Sequence, residues 1–136
     1  MTKEEIVKFI NENPICYLGT VEGDTPHVRA VSVYKADKRG ILIQVSTLKG
    51  MYQELVRNQK VELCFNGGGK MVRVSGTADF VEDQALKEEV VKARPFLKSM
   101  VDRYDLEVIK IFRVTNPMAT VWTMATNLDP KEYIRI

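Results

Sequence analysis

The stretch Ile41-Leu42-Ile43-Gln44-Val45-Ser46-Thr47-Leu48-Lys49-Gly50-Met51-Tyr52-Gln53-Glu54-Leu55-Val56-Arg57-Asn58 changes its hydrophobic period midway. Ile41, Ile43 and Val45 alternate with Leu42, Gln44 and Ser46, the two-residue period of a strand. Met51, Tyr52, Leu55 and Val56 then fall at i, i+1, i+4 and i+5, one stripe of a helix ending near Asn58. Ser46 and Thr47 stand where the cap of that helix belongs. Val61 to Phe65 returns at once to strand chemistry, so the helix is a short insertion between strands.

Upstream, Thr2-Lys3-Glu4-Glu5 has capping-box spacing, and Ile6, Val7, Phe9 and Ile10 continue a helix to the break at Asn13-Pro14. Pro14 to Val21 and Pro26 to Lys35 read as two strands around the turn Glu22-Gly23-Asp24-Thr25, which predicts a hairpin. A second turn over Ala36 to Gly40 leads into the Ile41 strand, making a β-meander. Downstream, Asn66-Gly67-Gly68-Gly69 turns the chain into Met71 to Val81, a long strand with Gly76 relieving its bend. Asp83 caps a helix through Leu86, Val90 and Val91 that stops before Pro95, with one more turn through Met100. Val108 to Val114 and Met118 to Ala125 are two final β-runs divided by Asn116-Pro117, and Thr126 to Ile136 has no pattern. Six or seven short strands with helices between groups of them, and no βαβ alternation, predict a mostly β fold with helices, a split barrel.

The chain has 136 residues, 45% hydrophobic and 28% charged, which suits one globular domain over residues 1–136. No run is apolar enough to cross a bilayer, and the start lacks the apolar core of a secretory signal, so a cytoplasmic protein without membrane partners is expected. A formal charge of +2, evenly spread, gives no basic stripe for nucleic acid. Cys16 and Cys64 lie far apart in apolar runs with a single His in the chain, so reduced structural thiols are expected and no metal site.

The first N–H groups of a helix point outward and favour negative charge. Ser46, Thr47 and Lys49 at such a point make a phosphate cradle, and Gln53, four residues after Lys49, projects from the same face. A simple helix cap with a solvated lysine is the competing reading. Arg29 sits mid-strand with His27, Val31 and Val33, where a charge needs solvent or an anionic partner such as bound phosphate. Arg73 poses the same question, with a cross-strand salt bridge as the alternative. Trp122, the single tryptophan, belongs to a core or subunit interface more readily than to a ring-stacking site. Paired carboxylates, a nucleophile elbow, a Walker loop and GxGxxG are all missing, so no catalytic side chain is assigned.

Leu18-Gly19-Thr20-Val21, Pro26-His27-Val28-Arg29, Ser46-Thr47-Leu48-Lys49, Asn58, Val61 and Arg73-Val74-Ser75-Gly76 resemble, in order and spacing, short members of the pyridoxamine 5′-phosphate oxidase-like family. The resemblance spans nearly the whole chain. It implies a split barrel, a homodimer, and flavin mononucleotide (FMN) in clefts at the dimer interface. By the same resemblance Arg29, Ser46, Thr47 and Lys49 surround the FMN phosphate with Gln53 adjacent, and Ala30, Val31, Ser32 and Val33 border the isoalloxazine through their backbone. Met71, Arg73 and Trp122 lie on strands from which the partner completes the cleft. Gln53 occupies a place that is often basic in related short proteins, and Met71 falls near where the full-length oxidase uses a polar flavin contact. The Arg-and-His segment with which the oxidases grip pyridoxamine phosphate has no counterpart, so vitamin B6 oxidation is not expected. The implied function is an FMN oxidoreductase of unknown substrate, drawing on NAD(P)H or another electron donor. A non-catalytic flavin or deazaflavin binding or sensing module is the alternative, and with His27 alone heme ligation has little support.

Overall fold

Thr2 starts the first helix as its spacing predicts: its hydroxyl accepts from the Glu5 amide at 3.2 Å. The computed structural model describes residues 1–136. Helix α1 (Lys3–Glu12) turns Ile6, Phe9 and Ile10 inward. Strands β1 (Ile15–Glu22) and β2 (Thr25–Ser32) form the expected hairpin, with Cys16 paired to Val31 and Leu18 to Arg29.

The meander stops there. β2 ends at Ser32, and the next residues cross from one edge of the sheet to the other: the Val33 amide donates to the Pro14 carbonyl at 2.8 Å, and the Tyr34 amide to the Leu42 carbonyl at 2.8 Å. Residues expected in the second strand and its turn form β3 (Lys35–Asp37), paired with β4 (Gly40–Ser46). The sheet runs β2-β1-β5-β6-β7-β4-β3, with β5 (Lys60–Gly67), β6 (Lys70–Phe80) and β7 (Ile109–Thr123) in its middle. β4 therefore neighbours β7 and not β2, because Val33 has left the hairpin for the core, where it is 1% exposed. The antiparallel sheet curls without closing, and a split separates β2 from β4.

The two β-runs expected after residue 108 are one strand. β7 passes through Asn116, at φ 50°, and absorbs the Asn116-Pro117 break as a register shift opposite Ser75 and Thr77. Gly76 lies at that bulge because a Cβ there would meet Val114 Cγ1 at 2.5 Å and the Thr115 carbonyl at 2.8 Å. The tail, which had no readable pattern, adds β8 (Ile134–Arg135) against Met118 and Ala119 of β7.

Two apolar bodies hold the fold. Ile41, Ile43 and Val45 face the barrel interior with Leu18, Leu63, Phe65 and Phe112. Leu42 on the opposite face of β4 joins Ile109 and Ile111 beneath an outer layer. That layer is α3 (Gln84–Ala93), capped by Asp83 through the Leu86 amide, then a single helical turn (Pro95–Leu97) and α4 (Lys98–Tyr104). No helix is long and apolar enough to cross a membrane.

Candidate functional site

Where the sheet splits, a cleft of about 450 Å³ opens. Arg29, Ala30, Val31 and Ser32 of β2 form one side, and Gln44, Val45 and Ser46 of β4 the other. Lys49, Gly50 and Met51 close the end at helix α2 (Gly50–Arg57), while Phe96, Leu97 and Met100 of the outer layer roof it with Ile109. Its size and mixed lining suit a small organic ligand.

The helix cap differs from expectation. α2 begins at Gly50, with Lys49 at the cap position and no side chain bonded to the first amides. Ser46 instead uses its hydroxyl to accept from the Leu48 amide at 3.1 Å, a tight local turn that delays the helix by several residues. The outward amides of α2 thus open toward the cleft beside Lys49, which is exposed and makes no ion pair.

Arg29 meets an anion supplied by the protein. Its guanidinium donates to Glu54 Oε1 at 2.8 Å and to Thr20 Oγ1 at 2.7 Å, and the Thr20 hydroxyl donates to the same Glu54 oxygen at 2.8 Å. Burial pushes the Glu54 carboxyl up, but the Thr20 and Arg29 bonds outweigh it and hold the group below its ordinary value. Charges at this end therefore sum to one net positive: Arg29 and Glu54 offset each other, and Lys49 is left over.

The roof is tied to the floor. Arg94, just before Pro95, donates to the Val33 carbonyl at 2.8 Å and the Ser32 carbonyl at 3.3 Å, and lies 5.6 Å from the Tyr34 ring centre. Tyr34 in turn donates to Glu89 of α3 at 2.6 Å.

Of the residues singled out from sequence, Arg29, Ala30, Val31, Ser32, Ser46 and Lys49 converge on this cleft. Thr47 is adjacent but does not line it, and its amide donates to the Val108 carbonyl at 2.9 Å. Val33 points into the core, and Gln53 is exposed on α2 away from the cleft, since Glu54 takes the inward position. The α2 stripe is accordingly Met51, Tyr52 and Leu55, with Val56 52% exposed. Met71, Arg73 and Trp122 line a separate depression of about 580 Å³ between β6, β7 and the tail. There Arg73 pairs with Glu62 at 2.7 Å, and Trp122 Nε1 donates to Asn127 at 2.7 Å.

Gln44, Met51 and the roof residues were missed. Gln44 carried a signal, a lone amide among Ile41, Leu42, Ile43 and Val45. Phe96 and Met100 carried none, because only the folded outer layer brings them over β4. Both cysteines are free; burial, with the nearby Cys64, pushes the Cys16 thiol up to about 12.

Comparison with known proteins places the fold. A search of curated sequences returns no match. Among solved structures, a NimC/NimA family protein of Clostridium acetobutylicum superposes with a TM-score of 0.80 at 24% identity, covering 98% of this chain and 92% of that one. A putative pyridoxamine 5′-phosphate oxidase of Listeria innocua gives 0.69 at 18% identity, over 89% and 96% of the two chains. The heme storage protein HutZ of Vibrio cholerae gives 0.62 at 18%, over 89% and 93%. At these identities the likeness establishes the split-barrel fold. The sequence profile described as pyridoxamine 5′-phosphate oxidase matches residues 2–125, and on that match the chain belongs to the pyridoxamine 5′-phosphate oxidase family.

Proposed function

We propose that this protein is an FMN-binding flavoprotein of the oxidoreductase class. The observation that carries the reading is the cleft end where Lys49, with no protein anion of its own, stands beside the uncapped start of α2. Together they suit a phosphate, which brings about −1.5 to −2 of charge at neutral pH. Ser46 and Arg29 border the same end, Arg29 shared with Glu54. The backbone of Ala30 to Ser32 and the apolar roof of Phe96, Leu97 and Met100 offer a slot for a flat ring. Bound there, FMN would supply the electron transfer, while the chain positions it, adjusts its charge environment and excludes water.

A homodimer belongs to this reading. The outward face of β1 and β2 leaves Ile15 65%, Tyr17 53% and Val28 72% exposed, side by side on paired strands. A second copy seated on that face would cover them and could bring its Met71, Arg73 and Trp122 depression to the cleft.

The test is titration of apo-protein with FMN, following the visible spectrum. A perturbed flavin spectrum that saturates at one FMN per chain supports the assignment; an unperturbed spectrum at micromolar protein overturns it. Rapid mixing of the holo-protein with NAD(P)H separates an oxidoreductase, whose flavin bleaches, from a binding module, whose flavin does not. Heme, prompted by the likeness to HutZ, lacks a cleft histidine or cysteine and leaves the thioethers of Met51 and Met100 as ligands.

A further inference from the structure

Gln44 Oε1 is buried and has no hydrogen-bond partner, and no other side-chain atom of the chain is in that position. The amide lies on the face of β4 shared with Leu42 and Ser46, against the apolar layer that contains Leu97 and Ile109, and it lines the cleft. An unpaired buried acceptor is a standing cost to the fold, which a leucine at this place would avoid. The buried residues of that layer are aliphatic and supply no side-chain donor. A half-turn of the amide about its last torsion brings Oε1 to the cleft, where the donor can come from whatever fills it.

We propose that Gln44 is a specificity residue whose amide oxygen accepts a hydroxyl from the polyol chain of the bound nucleotide. The proposal rests on the cofactor reading above and deepens it. Ser46 and Gln44 are two residues apart on one strand, so their side chains leave the same face about 6.7 Å from one another. With a phosphate at the Ser46 and Lys49 end, Gln44 stands one step along the cleft, where a phosphorylated ligand carries the hydroxylated linker between its anion and its ring. The site would then read three parts of the ligand: charge by Lys49, hydroxyl by Gln44 and flat surface by the roof. A ring without the linker would leave the Gln44 oxygen as unsatisfied as the protein alone leaves it.

The experiment measures dissociation constants of FMN, riboflavin and lumiflavin, which lacks the polyol, for the wild type, Gln44→Leu and Gln44→Met. Thermal melting of each apo-protein is recorded alongside. Expected are about tenfold weaker FMN and riboflavin binding by both variants, unchanged lumiflavin binding, and apo-variants that melt above the wild type. If the wild type binds FMN and the variants bind it equally well, or lose lumiflavin to the same extent, the role of Gln44 is wrong while the cofactor reading stands. Apo-variants that melt at or below the wild type would show that the amide is already satisfied, and would also overturn it. Failure of the wild type to bind any of the three flavins would overturn the cofactor reading and this proposal with it.

Discussion

Arg29 on β2 and Glu54 on α2 join across 2.8 Å at the mouth of the split, and Thr20 bonds to both. The Glu54 side chain is 9% exposed and that of Arg29 26%, so the pair is largely out of water and neither charge is easily left alone. Arg29→Ala should therefore cost about 3 kcal/mol of unfolding free energy, measured by urea denaturation. A loss near zero would mean the carboxylate finds water instead.

Glu54→Gln has the opposite consequence for ligands. It releases Arg29 from its anion while keeping an acceptor for Thr20, so FMN affinity should rise about fivefold at low salt. Calorimetric titration checks this, and unchanged affinity would place Arg29 out of reach of the phosphate.

The same carboxylate sets an acid limit. Its folded value lies below the ordinary 4.5, so its stabilisation is fully present above that value and is lost as pH falls through the depressed one. Melting temperature against pH should fall less steeply on the acid side for Glu54→Gln than for wild type, with parallel curves near neutrality.

Lys49→Ala should weaken FMN about tenfold or more yet leave riboflavin binding unchanged, since only the former carries the anion. Added salt should shrink the difference between the two ligands in wild type.

Thiol chemistry should divide the cysteines. Burial raises both, and Cys16 is 0% exposed. At mildly alkaline pH a disulfide reagent should label Cys64 slowly and Cys16 only after unfolding, which mass spectrometry of the labelled peptides resolves.

Much of the fold was legible because local chemistry and tertiary demand agree in it. Thr2 and Asp83 cap the helices their spacing predicts, and the β1–β2 hairpin and the bend at Gly76 follow from turn residues and close approach. The failures share one cause, partners distant in sequence. Periodicity sees strands, not neighbours, so β4 seemed to follow β2 when its partner is β7, more than sixty residues further on. Asn116-Pro117 looked like a stop because the bulge that tolerates it depends on β6. In the cleft, residue types on β2 and at Lys49 were readable as anion-seeking, but Glu54 as the partner of Arg29 was not. Seeing it required knowing which side of α2 faces Thr20.

The Arg94 clasp bears on how the cleft meets its ligand. Lifting the roof would strip the Val33 carbonyl of its donor, so the spacing between Phe96 and β2 is set when the chain folds. Little ordering of these walls is then left for the moment of association, and a rigid planar molecule entering from the open side should bind without reshaping its host.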